Sequence, residues 1–416
     1  MSASLDRLPS SLWDNLLTCL LSAVLVALRT VVLWVFVFGN NDASDMGCAS
    51  SKSSGGTKAG RAYVQSGGLQ SPVAGEEGQL DRRCVVVEPP RAEDILTHVS
   101  CLPGDSQRFV CAGMSGSCYV YDLDAIRQEK AGKANTGPPA VPAQSWRVSN
   151  RAVSRVSPFG LSHSKYARDG DLAFLTCAGD GAVVLWDSSK SSASRRCTVA
   201  QHKLAVTAAA WSGSRVLSGS RDYTLKLTDL EQPGVSLTEK KIPRNVVTGI
   251  VHAPVQDVFV QLSEDLQIRI WDKNLELVQT IAGGDNQLIS ACLNGGGTEV
   301  LCGTKGFSED TVELLALDLR TMTIRNRRKS IATQNIEALS PYGDDHTLLG
   351  SKDGSLKLVD HDFCVAKEFT LDHVAPVTSC AVMGDFLVAT TFGPRITAFN
   401  IESGDVVAVS PPDGGG

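Results

Sequence analysis

The sequence lacks the short motifs that mark most catalytic and metal-binding proteins. Its 12 cysteines form no C-x-x-C pair and its seven histidines lie apart, so neither zinc-finger nor thioredoxin-type chemistry is supported. It contains no G-x-S-x-G nucleophile elbow and no P-loop. A formal net charge of −6 provides no basic field for nucleic acid. These absences predict a protein without catalytic residues, metal ligands or cofactors, whose partner is not nucleic acid.

The chain does contain a repeated strand–turn–strand unit, seen most clearly in QLSEDLQIRIWD from Gln261 to Asp272. Its second half alternates with period two, so Leu266, Ile268 and Ile270 are expected on one face and Trp271 on the other. Alternation on both sides of a short acidic turn predicts a β-hairpin. Seven copies end at Asp122, Asp187, Asp229, Asp272, Asp318, Asp360 and Asn400, at intervals of 40 to 46 residues after a first interval of 65.

A repeat of this length with a Trp-Asp-like end resembles the WD40 repeat, in which each copy is one four-stranded propeller blade. Such a blade has two apolar faces and buries both only between neighbours. The sequence therefore predicts an all-β, seven-bladed WD40-type β-propeller. The long first interval is assigned to loops at 128–145 and 158–170, with an eighth blade as the alternative. Residues 83–88 and 405–410 compete to complete the last blade.

Most cysteines fall within the strand patterns, for example Cys111, Cys177, Cys292, Cys302 and Cys380. Small buried thiols without paired spacing are typical of a reducing compartment. No N-glycosylation sequon occurs in the chain. These features favour a propeller in the cytosol.

The N-terminal region carries two competing membrane signals. Residues 16–38 form an apolar run with one charge, Arg29, and are long enough to span a bilayer. Met46–Lys52 matches the N-myristoylation pattern M-G-x-x-x-[ST]. In this interpretation translation starts at Met46, or cleavage exposes Gly47. Gly47 then carries the myristoyl group and Cys48 is S-acylated, because one chain alone binds membranes weakly.

The acylated start is favoured over the transmembrane helix, and both are favoured over a chance match of the motif with neither anchor. The predicted organisation is a hydrophobic segment at 1–45, an acylated flexible tether at 46–82 and the propeller at 83–411. The extension is either an over-extended start or the membrane span.

The WD40 resemblance also implies a structural network. In such blades a His before the inner strand, a strand Ser or Thr and a turn Asp form buried hydrogen bonds. His202, Ser218 and Asp222 match these positions in the third blade. The turn acids, Asp222 included, could instead gather around the channel of a propeller hydrolase or lyase, but their turn-forming role is favoured.

Recognition by loops on a rigid scaffold is therefore the favoured function. The expected protein contacts near one rim are Arg221, Arg244, Asn245, Glu264 and Lys352. A basic cluster, Arg325, Arg327, Arg328 and Lys329, is assigned to the exposed outer strand of the fifth blade, where charges guard a sheet edge.

Several blocks resemble the ciliary WD-repeat family of WD repeat-containing protein 31. They are SGSRDYTLKLTD, RNVVT at Arg244–Thr248, LSEDLQIRIWD, the GTKGFSED insert before Leu317–Arg320, and GSLKLVD. The resemblance implies a membrane-tethered adaptor in cilia or flagella, with partners among ciliary transport complexes or regulators of Arf-like GTPases. The chain departs from the pattern by its extra N-terminal residues and by Thr228, Ala316 and Val359 where a WD tryptophan would stand.

Overall fold

Short β-strands are the main regular elements in the part of the chain that the computed structural model describes. That part comprises residues 85–86, 94–102, 108–123, 142–158, 172–188, 193–242, 245–371, 375–392 and 395–409. The strands form seven sheets, each built on four consecutive antiparallel strands. Each sheet is one blade, and the blades are numbered 1 to 7 along the chain.

The strands of the first four blades have the following bounds. The two-residue strand β1 (Val85–Val86) precedes blade 1. Blade 1 contains β2 (Leu96–Cys101), β3 (Arg108–Gly113), β4 (Ser117–Asp122) and β5 (Gln144–Arg147). Blade 2 contains β6 (Val153–Pro158), β7 (Leu172–Ala178), β8 (Ala182–Ser188) and β9 (Ala193–Gln201). Blade 3 contains β10 (Val206–Ser212), β11 (Arg215–Ser220), β12 (Thr224–Asp229) and β13 (Ser236–Lys241). Blade 4 contains β14 (Val247–Ala253), β15 (Val258–Ser263), β16 (Gln267–Asp272) and β17 (Leu277–Ala282).

The remaining three blades follow the same plan. Blade 5 contains β18 (Leu288–Leu293), β19 (Glu299–Thr304), β20 (Glu313–Asp318) and β21 (Thr323–Lys329). Blade 6 contains β22 (Ile336–Tyr342), β23 (His346–Ser351), β24 (Leu356–Asp360) and β25 (Val365–Phe369). Blade 7 contains β26 (Val377–Met383), β27 (Phe386–Thr391), β28 (Ile396–Asn400) and β29 (Val406–Val409).

The blades close into a ring. The first strand of each blade lies against the first strand of the next, and β26 of blade 7 lies against β2 of blade 1. These seven inner strands surround a central channel. The predicted seven-bladed all-β propeller is confirmed, and the described ranges contain no eighth blade. The loop predicted at 128–145 was placed too far along the chain, because Gln144 and Ser145 begin β5.

Both candidates for the closing strand lie in blade 7. Strand β29 pairs antiparallel with β28 and is the fourth strand of the blade. Strand β1 adds to the outside of β29 as a parallel fifth strand, with Val85 opposite Ala408 and Val86 opposite Val409. The C-terminal segment therefore completes the blade, and the N-terminal strand covers its edge.

The hairpin of blade 4 shows why a blade needs two neighbours. Ile268 and Ile270 are fully buried and pack against blade 5. Trp271, on the opposite face of β16, packs against blade 3. The predicted alternation is confirmed for these three residues. Leu266 was wrongly assigned to the strand: it lies in the turn, with a left-handed φ of 66°.

Each inner strand carries a β-bulge at its second residue. The pairing register shifts between the first and third residues of the inner strand in all seven blades. A bulge redirects the side chain of the extra residue. The bulge residues are Thr97, Ser154, Thr207, Thr248, Ile289, Glu337 and Thr378.

Three bulge hydroxyls tie one blade to the next. Each donates a hydrogen bond to a carbonyl oxygen at the start of the following inner strand, and the bonds also fix the bulge in place. The pairs are Thr97 with Val153, Ser154 with Val206, and Thr207 with Val247.

The structure places the cysteines and the basic cluster as the sequence indicates. The five strand cysteines are buried free thiols, and burial raises the pKa of Cys177 and Cys302 to about 12. The basic cluster lies at the end of β21, the outer strand of blade 5. Arg325 is paired with the carboxylate of Glu299, and Arg327 Nη1 lies 3.6 Å from Glu313 Oε2. These pairings support the role of the cluster at the sheet edge.

None of the described ranges contains a helix with the length and apolar character of a membrane span. The segment 16–38 and the acylation motif at Gly47 and Cys48 lie outside the described residues.

Candidate interaction face

One face of the propeller is built in the same way in every blade. The first residue after the second strand donates its backbone N–H to the residue just before the inner strand, over 2.8–3.1 Å. The turn between the second and third strands is thereby fixed to the connection that enters the blade. We call this rim the turn face. The donor–acceptor pairs are Met114–Ile95, Gly179–Ala152, Arg221–Ala205, Glu264–Val246, Lys305–Gln287, Lys352–Asn335 and Phe392–Pro376.

Turn aspartates strengthen this attachment in four blades. Each carboxylate accepts from the backbone N–H two residues later, which shapes the turn, and also accepts from the entering connection. The four contacts to the entering connection are Asp180 with the Ser149 hydroxyl, Asp222 with the Lys203 N–H, Asp265 with the Asn245 amide, and Asp353 with the Thr333 N–H and hydroxyl. The turn acids therefore serve local structure, as the sequence favoured.

The structure brings His202, Ser218 and Asp222 together in blade 3. His202 Nε2 lies 2.9 Å from Ser218 Oγ, and Nδ1 lies 3.4 Å from Asp222 Oδ2. Thr224, which the sequence argument missed, completes the network. Its hydroxyl lies 3.0 Å from His202 Nδ1 and donates to Asp222 Oδ1 over 2.6 Å. The residue stands two positions after the turn Asp, which is the signal that could have found it.

The network keeps the imidazole neutral and the carboxylate charged. Burial lowers the pKa of His202, and the neighbouring Asp222 opposes this only in part. Burial by itself would raise the pKa of Asp222, but hydrogen bonds from Thr224 and Lys203 outweigh it and lower the pKa. A neutral histidine held on both ring nitrogens has no free lone pair for proton transfer, so the network has a structural role.

Blade 1 holds a related network that the sequence did not reveal. The buried Asp94 accepts from the Ser115 N–H and hydroxyl, at 2.8 and 2.6 Å, and from the Tyr119 hydroxyl at 2.8 Å. Asp94 stands two residues before the inner strand of blade 1, whereas His202 stands four residues before that of blade 3. In blade 1 the buried carboxylate comes from the entering connection, and its partners are Ser115 and Tyr119 and not a histidine, which is why a search for the histidine pattern misses it.

The residues predicted to contact a partner protein differ in their exposure and in their hydrogen bonds to the turn face. Arg221, Glu264 and Lys352 are exposed on the turn face, each at the first turn position of its blade. Asn245 is half-buried and donates its amide to Asp265, so it positions the turn. Arg244 lies outside the described residues.

The turn face also concentrates exposed apolar side chains, which the sequence argument missed. Five of the 11 large hydrophobic residues that are exposed in the described ranges lie on it: Met114, Leu204, Tyr223, Phe307 and Phe392. The set includes all three exposed aromatic residues, with Phe307 80% and Phe392 61% exposed. The other six are valines and leucines on outer strands or on the opposite rim.

The opposite rim carries a broad groove of about 740 Å³, lined in part by Trp211, His252 and Asp257. Asp257 Oδ1 accepts from Ser212 Oγ over 3.1 Å and lies 3.3 Å from His252 Nε2. The carboxylate thus lies between the serine and the histidine, whereas a catalytic triad requires the histidine in the middle. No group of three or more His, Cys, Asp or Glu residues in the described ranges has the geometry of a metal site.

Comparison with known proteins gives a partial match. No protein-family model matches the sequence. WD repeat-containing protein 25 of Mus musculus is 29% identical over 152 residues, which cover 35% of this chain and 28% of the mouse protein. The match therefore spans less than a third of that relative's length. This match to a WD-repeat protein agrees with the observed fold, a closed ring of seven four-stranded blades whose third strands end in WD-like pairs. The chain is a WD40-repeat propeller. The narrower ciliary resemblance stays a prediction.

The WD40 signature is divided among the blades of this propeller. In blades 2 and 4 the WD tryptophan donates its indole N–H to the second strand, from Trp186 to Thr176 over 2.9 Å and from Trp271 to Gln261 over 3.2 Å. In blade 3 the strand position is Ser218, which binds His202, and the tryptophan is replaced by Thr228. Histidine and tryptophan are alternative partners of the same strand position here, so no single blade carries the whole signature.

Proposed function

We propose that this propeller is a non-enzymatic scaffold that binds a partner protein on its turn face and is tethered to the cytosolic side of a membrane through Gly47 and Cys48. The observation that carries the scaffold role is the concentration of exposed aromatic residues and methionine on that face. WD40 propellers typically bind other proteins and are generally non-enzymatic. Aromatic residues and methionine are enriched at protein interfaces, whereas isolated surface valines are ordinary.

The turn face is suited to such contacts because its backbone is rigid. Each turn is hydrogen-bonded to the entering connection, and four turns are held by carboxylates as well. A preorganised surface loses less conformational entropy on binding. Arg221, Glu264 and Lys352 add charges of both signs around the apolar residues, and such charges select the orientation of a partner.

Affinity purification with matched variants tests the face. One variant replaces Met114, Tyr223 and Phe307 by serine. The control replaces Val235 and Val255, exposed on the opposite rim, by serine. We expect the turn-face variant to lose its co-purifying proteins and the control to keep them, while both unfold at nearly the wild-type temperature. Equal retention by the two variants would refute the assignment of the turn face.

The membrane tether is supported by the motif at Met46–Lys52 and by the Ser/Gly-rich composition after it. A Gly47→Ala substitution removes the acceptor of the myristoyl group. We expect the tagged variant to become diffuse, and Cys48→Ser to weaken membrane residence because a single chain binds reversibly. Unchanged membrane residence of Gly47→Ala would contradict the lipid anchor.

The alternative tether is a transmembrane helix at residues 16–38. Mass spectrometry of the mature N-terminus separates the two, since an acylated start requires Gly47 as the first residue. Abundant peptides from residues 1–45 would support the helix. Both alternatives place the propeller in the cytosol and leave the partner face unchanged.

The place of action proposed from the narrower resemblance is the cilium or flagellum, with partners in ciliary transport or in regulation of Arf-like GTPases. Imaging of the tagged wild-type chain in ciliated cells tests the location. Exclusion from the cilium would remove that part of the proposal and leave the scaffold role in place.

A further inference from the structure

The central channel contains an arginine where most blades have a small residue. At the third position of the inner strand, five blades carry Ala208, Gly249, Ser290, Ala338 and Ser379. Blades 1 and 2 instead carry His98 and Arg155. The long side chain of Arg155 reaches the inner strands of blades 3 and 4.

Arg155 uses only part of its hydrogen-bonding capacity. Its Nε donates to the Thr207 carbonyl over 3.1 Å, and Nη2 lies 3.5 Å from the Thr248 carbonyl. The guanidinium has five N–H groups in a fixed fork. Nη1 has no hydrogen bond to any described residue, so at least two N–H donors are available to a ligand in the channel.

His98 adds a neutral donor on the same wall. Its Nδ1 accepts from the Val156 N–H over 3.4 Å, which places the remaining proton on Nε2. Burial, with a smaller effect of Arg155, lowers the pKa of His98 to about 3. The ring is therefore uncharged at neutral pH and presents an N–H without repelling the guanidinium.

Glu337 supplies the opposite charge from across the ring. It is the bulge residue of blade 6, a position that holds serine or threonine in five other blades. Its Oε1 accepts from Asn335 Nδ2 over 3.0 Å, which holds the carboxylate in place. Arg155 and Glu337 line one cavity of about 160 Å³, yet they form no ion pair with each other. Glu337 also has no ion-pair partner in the rest of the described chain.

Arg155 and Glu337 carry opposite charges but form no ion pair, so the cavity between them has a positive end and a negative end. We propose that this cavity binds a small zwitterion of the amino-acid class, its carboxylate on Arg155 and His98 and its ammonium group on Glu337. Arg forks match carboxylate geometry, and a fixed carboxylate accepts from an ammonium group. The cavity has room for a ligand of a few heavy atoms. A neighbouring cavity of about 300 Å³, also lined by His98 and Arg155, connects the site with the rest of the channel.

Isothermal titration calorimetry of the full chain tests the site. The probes are glycine, β-alanine and γ-aminobutyrate, whose two charges are increasingly far apart, and the singly charged acetate and methylammonium. We expect one zwitterion to bind at least about tenfold more tightly than either singly charged probe, since each charged hydrogen bond adds to affinity. A zwitterion that binds no better than acetate, or no binding at millimolar concentration, would overturn the proposal.

Three variants test which residue binds the carboxylate of the ligand and which binds its ammonium group. Glu337→Gln keeps the shape and should reduce zwitterion affinity about tenfold, to the level of acetate. Arg155→Gln should abolish binding of both zwitterion and acetate. Lys241→Gln, exposed on the outer strand of blade 3, should change nothing. If Arg155→Gln fails to fold, Glu337→Gln decides alone, because Glu337 makes only the bond to Asn335; undiminished affinity in that variant would reject the site.

Discussion

Thr224 and Thr228 are in the same buried strand, yet their hydroxyls have opposite surroundings. The Thr224 hydroxyl lies between His202 Nδ1 and Asp222, whereas the Thr228 hydroxyl is buried without a hydrogen-bond partner. Thr224→Val should lower the free energy of unfolding by about 1–3 kcal/mol, because it leaves buried partners unsatisfied. Thr228→Val should be neutral or stabilising. Urea unfolding measures both, and equal losses would show that the network adds nothing beyond burial.

A second residue, Asp353, gives the fold a defined acid sensitivity. Burial alone would raise its pKa, but hydrogen bonds from Ser355 and Thr333 outweigh this and lower the pKa to about 2. The folded pKa lies below the unfolded value of 3.8, so the stabilisation is complete above about pH 4 and is lost as the pH falls towards 2.

Asp353→Asn should therefore flatten the dependence of unfolding free energy on pH between 4 and 2, by about 1 kcal/mol after allowance for solvent screening of a half-exposed group. The control is Asp344→Asn, in an exposed turn of blade 6. Urea unfolding across this pH range measures the slopes. The same slope for wild type and Asp353→Asn would contradict the assignment.

At the scale of the strand and turn, left-handed backbone decides which substitutions a blade accepts. Gly181 and Gly213 have φ of 87° and 58°. A Cβ on Gly181 would lie 2.3 Å from the His202 carbonyl oxygen, whereas a Cβ on Gly213 would have no atom within 4 Å. Gly213→Ala should cost about 1 kcal/mol for backbone strain alone. Gly181→Ala should cost about 2–3 kcal/mol or more, because the clash with backbone displaces the residue that anchors the network.

Thermal and urea unfolding of the two glycine variants measure the difference. The comparison holds the backbone region and the substituted residue type constant, so only the surroundings of the new methyl group differ. A Gly213→Ala variant as unstable as Gly181→Ala would mean that local conformation, and not contact with the entering connection, limits the turn.

The inner strands contain features that the sequence alone does not predict. Alternation, turn chemistry and the repeat period predict strands such as β15 and β16, because these signals are local. The bulge at the second residue of every inner strand is not visible in that pattern, since hydroxyl residues are ordinary in strands. The bonds from Thr97, Ser154 and Thr207 to the next blade depend on tertiary placement. The same holds for Arg155 and Glu337, which are far apart in sequence and line the same cavity only when the ring closes.

At the scale of the whole molecule, the number of blades and their order could be predicted, whereas the closing arrangement could not. Burial of both faces requires a ring, and seven hairpins set its size. The choice between two valine-rich segments depends on which edge of blade 7 each one reaches. Similarly, Met114, Phe307 and Phe392 are distant in sequence, and only the regular attachment of the turns brings them to one rim.

The closed ring depends on blade 7 packing against blade 1 more than on the N-terminal strand. Leu96, Phe109 and Tyr121 of blade 1 form one buried cluster with Val388 and Ala408 of blade 7. Strand β29 contributes to this cluster and pairs with β28, whereas β1 adds two parallel residue pairs at the edge.

Deletion of residues 1–86 should therefore lower the melting temperature by only a few degrees, consistent with loss of about 1 kcal/mol. Deletion of residues 405–416 should have a much larger effect, because it removes Ala408 from the core and leaves β28 as an unpaired edge prone to association. Calorimetry and size-exclusion chromatography of the two truncated chains measure stability and association. If the N-terminal deletion unfolded the propeller and the C-terminal deletion did not, β1 would be the strand that holds the ring closed.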